Sequence, residues 1–185
     1  MTLSIDGRAC IFLALLFLTV PLNWGGAAIL AALIHEAGHL LAVRIAGGRI
    51  HRLQVGMTGA ILDSAPLEPI PQLLAVLAGP ITSILMFCFH PLFPRTAVCA
   101  LIQGIFNLLP IEPLDGGRVL RILCELLRVE KAEQVCSVVR HSACFALLAL
   151  IVGMAIRYNM GISGIAPGLL PVLGLMAGKI PCKDR

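Results

Sequence analysis

Residues 25–46 read GGAAILAALIHEAGHLLAVRIA, and stretches of similar apolar character recur at about 8–22, 70–91, 96–127, 141–157 and 162–176. Such runs constrain a chain more than anything else in it. One crossing of the bilayer hydrocarbon takes roughly 20 mainly apolar residues. In that medium every backbone N–H and C=O must be satisfied within the protein, so stretches like these form helices. Composition agrees: 58% of the 185 residues are hydrophobic, 13% are charged and the mean hydropathy is +0.95. Soluble domains average about 45–50% apolar and roughly 25% charged residues. The expectation is an all-α polytopic membrane protein with about six transmembrane helices, forming one domain over residues 1–185.

The six stretches differ in kind. The first, Cys10 to Leu22, lacks a small-x-small cleavage site and leads directly into another span, so it reads as a retained helix and not as a removed signal. The fourth is broken by NLLPIEPLDGG, and the sixth is short and carries Pro167 and Pro171. Between the second and third lies GGRIHRLQVGMTGAILDSAPLEP, whose glycines and β-branched residues predict a small β-hairpin or sheet edge at the membrane face.

Charge orients the chain. With a cytoplasmic N-terminus and six spans, 12 of the 14 Lys and Arg residues fall on the cytoplasmic side, and only Arg95 and Arg157 fall outside. This predicts a multi-pass cell-membrane protein with both termini cytoplasmic. The net charge of +4 is not arranged as a basic stripe with interleaved aromatics, so nucleic acid is not an expected partner. The seven cysteines include no CxxC pair and mostly lie in apolar stretches, where cysteine serves as a small hydrophobe.

Against that background HEAGH, residues 35–39, is out of place. His35 and His39 are four apart, so a helix sets them on one face about one turn apart. Both imidazoles can then reach one zinc ion, with Glu36 beside them to handle the proton of an activated water. An ionisable residue in a span costs about 2.5–3.5 kcal/mol on insertion scales. A metal repays that cost for Glu36; an ion pair within the helix does not, since no basic residue lies three or four positions from it.

Two histidines leave a catalytic zinc one protein ligand short. His51, His90, His141 and the acidic residues are the candidates. Asp115 stands out because it sits in PLDGG, where Pro110 and Pro113 interrupt the helix and Gly116 and Gly117 permit tight backbone. Broken membrane helices are tolerated where they line a protein cavity. The alternative role for Asp115 is as a turn residue or N-cap of the basic helix from Arg118 to Leu127.

Taken together, HEAGH and NLLPIEPLDGGR resemble, in order, the HExxH and NxxPxxPLDGG elements of the site-2 protease family of intramembrane zinc proteases. AGP, residues 78–80, resembles a third and weaker family signature. The resemblance covers about residues 25–127, and the compact form is similar to the bacterial group that includes sporulation-factor proteases. It implies a catalytic core over about 25–127. In that core His35, His39 and Asp115 are the ligands of one Zn2+, Glu36 is the general base, and Asn107 acts on the substrate backbone or its carbonyl. It also implies a membrane-embedded or membrane-proximal protein as substrate, cut to release a regulator to the cytoplasm.

The sequence departs from the family pattern in places. AGPITS has Ser83 where relatives commonly have asparagine, and Glu112 stands where an apolar or aromatic residue is common. Glu112 either faces water near the interface or tunes the site. No PDZ or nucleotide-sensing domain fits within 185 residues, so regulation of that kind would come from a membrane partner. Two other classes stay open: an inactive scaffold or chaperone of the same fold, and a transporter. The absence of any internal repeat of HEAGH or PLDGG speaks against the transporter.

Overall fold

The computed structural model describes residues 2–5, 20–48, 50–56, 59–64 and 67–158. The chain divides into two compact units, Met1–Leu108 and Leu109–Arg185.

Among the described residues of the first unit, a small sheet accompanies three helices. Strand β1 (Thr2–Ile5) runs parallel to β2 (Ile50–Gly56), which pairs antiparallel with β3 (Gly59–Ser64). The order β1-β2-β3 makes β2 the central strand, and Val55 is paired on both sides, to Ile5 and to Ala60. The β1 strand precedes the first apolar stretch and has no signal in the hydropathy pattern.

Helix α1 (Leu22–Ile45) carries HEAGH and begins directly after Pro21. Helix α2 (Pro69–Leu85) and helix α3 (Pro94–Asn107) each place a proline in the first turn, where its missing N–H costs nothing. A short 3-10 turn, Met86–Phe89, follows α2. Apart from His35, most buried residues are small and recur at helical spacing: Ala27, Ala31 and Gly38 on α1, Ala75, Gly79 and Ser83 on α2, and Ala97, Ala100 and Gly104 on α3. Small residues let helices approach closely where lipid removes the hydrophobic drive between them. The large side chains point the other way: Leu33, Leu41, Leu74 and Ile102 are all exposed.

Three contacts show how tight this packing is. A Cβ at Gly38 would run into the Thr82 hydroxyl and lie 2.8 Å from the Ala78 carbonyl oxygen. One at Gly104 would lie 3.0 Å from Ser83 Cβ. One at Gly79 would collide with the His39 imidazole. The glycines of HEAGH and AGP are therefore contact points between α1 and α2.

The second unit contains α4 (Asp115–Leu126) and α5 (Ala132–Arg157). Ile111, Leu114 and Cys144 form its buried cluster, flanked by Leu109, Leu147 and Ile151. The expected fourth segment is thus two helices, with residues 108–114 non-helical between α3 and α4. The expected fifth segment starts earlier than 141, because AEQVCSVVR is helical although too polar to register as apolar. Among the described residues, three helices are long and apolar enough to cross a membrane: Leu22–Ile45, Pro69–Phe89 and Ala132–Arg157. Most of the first expected segment and all of the sixth lie outside the described residues.

Candidate metal centre

His35 and His39 project from α1 with ring centroids 4.9 Å apart and planes nearly perpendicular. Their Nε2 atoms lie 3.2 Å apart. His35 is almost fully buried and His39 half-buried. What aims them is α2. His39 Nδ1–H donates to the Ala75 carbonyl at 2.9 Å, and His35 Nδ1 lies 2.9 Å from Ser83 Oγ. The spacing explains the match. The two anchors, Ala75 and Ser83, are eight apart along α2, about 12 Å, and the histidines are four apart along α1, about 6 Å, so the Nδ1 sides of the rings reach outward in opposite directions while the Nε2 atoms face each other. Each imidazole thus meets its own anchor, while Gly79 between them leaves room for the His39 ring.

The donor chemistry suits a metal ion. A carbonyl can only accept, so neutral His39 must carry its proton on Nδ1 and present an Nε2 lone pair. That lone pair faces the Nε2 of His35 at 3.2 Å. Two such nitrogens in one place need a proton or a cation between them. Histidines that bind metals typically donate their other ring N–H to a carbonyl or similar acceptor, which fixes the tautomer. Asn107, the last residue of α3, brings its side-chain amide to 3.5 Å from His35 Nε2. Glu36 is half-buried on the same helix turn.

In the second unit Asp115 is the first residue of α4 and is buried, with its side chain 9% exposed. It is not the N-cap: Leu114 holds that position and makes no side-chain capping bond. A carboxylate in the first turn is favoured by the helix dipole, and Arg118 NH1 lies at the outer limit of an ion pair with it, 4.0 Å. Gly117 is required by close approach, since a Cβ there would strike the backbone of Ile111 and Glu112. Glu112 does not simply face water: Arg121 NH2 donates to its Oε2 at 2.7 Å.

The other candidate histidines go elsewhere. His141 Nδ1–H donates to the Ser137 carbonyl one turn back at 2.7 Å, and His90 lies exposed beside Phe87. Neither belongs to a group of metal-ligand type among the described residues. The side chain of His51 lies outside the described ones. Sequence reasoning missed Ala75, whose role is played by a backbone carbonyl and leaves no trace in residue type. It noticed Ser83 only as a departure from the family pattern.

A helix carrying HExxH, with both imidazoles anchored through Nδ1 and facing each other through Nε2, is the arrangement that HExxH-type metallohydrolases use to hold their metal. The family model for Peptidase M50B-like proteins matches residues 8–110, more than half of the chain, and that for Peptidase family M50 matches residues 74–151. The chain belongs to this family, the site-2 proteases. Zinc metalloprotease MJ0392 of Methanocaldococcus jannaschii is 28% identical over 141 residues, covering 67% of this chain and 40% of that protein. The chain thus spans about two fifths of the length of that relative. A solved structure of a site-2 protease from the same organism superimposes with a TM-score of 0.67 at 19% identity, over 99% of this chain and 94% of that one, a likeness of fold.

Proposed function

We infer that the protein is an intramembrane zinc endopeptidase. It hydrolyses peptide bonds in membrane-embedded or membrane-proximal segments of protein substrates and releases a regulator to the cytoplasm. The observation that carries this reading is the imidazole pair, held through Nδ1 by α2 with the two Nε2 atoms 3.2 Å apart. In this reading His35, His39 and Asp115 are the ligands of one metal ion, since two imidazoles with a carboxylate are a donor set zinc accepts.

When bound, zinc supplies Lewis acidity, activating a water and polarising the scissile carbonyl. Glu36 takes the proton of the attacking water and returns it to the leaving amine. Asn107, at the end of α3, offers its amide to the substrate backbone or carbonyl. A helical substrate must unwind to expose a carbonyl. The outer edge of β3 offers it a strand to pair with, and proline scanned along β3 should slow cleavage. Proline at Val55, in the central strand, would break the sheet itself. Six spans with both ends cytoplasmic complete the reading, supported by the Lys and Arg distribution.

Paired zinc analysis and cleavage assays test the assignment. His35→Ala and His39→Ala should lose most of the metal. Glu36→Gln should keep it and lose hydrolysis. Asp115→Asn should weaken zinc binding less than loss of a histidine does, yet lower cleavage by orders of magnitude. Equal cleavage by wild type and Glu36→Gln would mean that the fold serves as a scaffold.

A further inference from the structure

The two histidines are anchored differently. His39 is held by a backbone carbonyl, which no substitution can remove and which accepts only. His35 is held by the hydroxyl of Ser83, a side chain with no exposed surface. Gly104 brings α3 against Ser83: an added Cβ would lie 3.0 Å from Ser83 Cβ and 3.1 Å from the Pro80 carbonyl oxygen. Water is therefore shut out, and the hydroxyl faces the imidazole without competition from solvent. A buried hydrogen bond of this kind is costly to leave unmade.

We propose that Ser83 is a positioning residue for His35, accepting its Nδ1–H so that the Nε2 lone pair faces the ion. The proposal rests on the zinc reading above and adds a residue and a division of labour to it. Ser83 cannot be replaced by just any small residue, although its position demands a small one. A hydroxyl accepts and also donates. It can therefore serve His35 in either tautomer, whereas the Ala75 carbonyl holds His39 in one. His35 is thus the adaptable ligand and His39 the fixed one. When His35 donates to Ser83, the hydroxyl hydrogen needs another acceptor, and within a helix a carbonyl one turn back is the usual choice for serine.

The test uses the full-length protein in detergent, loaded with zinc, and compares wild type with Ser83→Ala, Ser83→Cys and Ser83→Thr. Cysteine keeps the size but is a weak acceptor, and threonine keeps the hydroxyl. Losing an outer partner of a metal-bound histidine typically costs 10–100-fold in affinity, so the zinc dissociation constant should rise by about that factor in the alanine and cysteine proteins. In the threonine protein it should stay within about threefold of wild type, well inside that range. Nitrogen-15 histidine spectra give a second readout. The His35 Nδ1–H resonance should be slow to exchange in wild type and lost or fast in Ser83→Ala, while the His39 resonance is unchanged.

Unchanged zinc affinity in both the alanine and cysteine proteins would overturn the proposal. So would loss of both histidine resonances together, because that is general loosening and not positioning. Failure of the wild type to bind zinc is a different result: it would sink the endopeptidase reading itself.

Discussion

Gly79→Ala is the most informative single change in the first unit. The added carbon would lie 2.7 Å from Cδ2 of His39 and closer still to Nε2 and Cε1. Ordinary contact for a Cβ begins at 3.4 Å, so the ring must retreat by at least about 0.7 Å. It cannot do so freely, because its Nδ1 is tied to Ala75, on the same face of the same helix that pushes it. Ligand positions around a metal are set to about 0.2 Å, so the displacement is several times what the site tolerates. Zinc affinity should fall by at least ~100-fold, or ~2.7 kcal/mol. If α2 moves instead of the ring, overpacking costs about 1–3 kcal/mol of stability, and the close approach at Gly38 is lost. Competition with a chromophoric chelator measures the first effect, and thermal unfolding of the metal-free protein the second. Gly26→Ala is the control: it lies on α1 with nothing within 4 Å of the new carbon, and it should leave zinc binding unaltered. Wild-type zinc affinity in Gly79→Ala would refute the account of how α2 shapes the site.

Gly117→Ala should damage the second unit more than its small size suggests. The new carbon meets the backbone at Ile111 and Glu112, which cannot rotate away as a side chain would; limited proteolysis should show α4 loosened. The Glu112–Arg121 pair should contribute little, because the Arg121 side chain is 39% exposed. A double-mutant cycle should give a coupling of about 0.2–1 kcal/mol, and a much larger value would make Glu112 part of the working site. Reporter fusions after Met57 and Glu130 should report cytoplasm, and those after Pro94 and Asn159 the far side. A fusion at Asp184 on the far side would overturn the cytoplasmic C-terminus.

Much of this protein was legible without coordinates, for definite reasons. Apolar runs mark α1, α2 and much of α5 because a bilayer admits only backbone that satisfies itself. The spacing of His35 and His39 is a property of one helix, so sequence alone places both rings on one face. Pro110 and Pro113 likewise announce the break before α4, since proline removes the donor a helix needs. The start of α5 at Ala132 was not legible, because its first turns are polar and hydropathy marks lipid exposure, not helix. Nor was β1, whose pairing with β2 joins residues some fifty positions apart.

The anchoring of the imidazoles belongs wholly to the tertiary structure. Nothing in the residue type of Ala75 predicts that its carbonyl holds His39. Ser83 looked like a deviation until α2 lay against α1 and its hydroxyl met His35. The glycine of AGP looked like a motif letter until the His39 ring filled the space where a side chain would be. Sequence determines which groups lie on one helix face, because 3.6 residues per turn is a local rule. Which groups from another helix meet that face depends on how closely the two backbones pack, and here glycines at 38, 79 and 104 decide that.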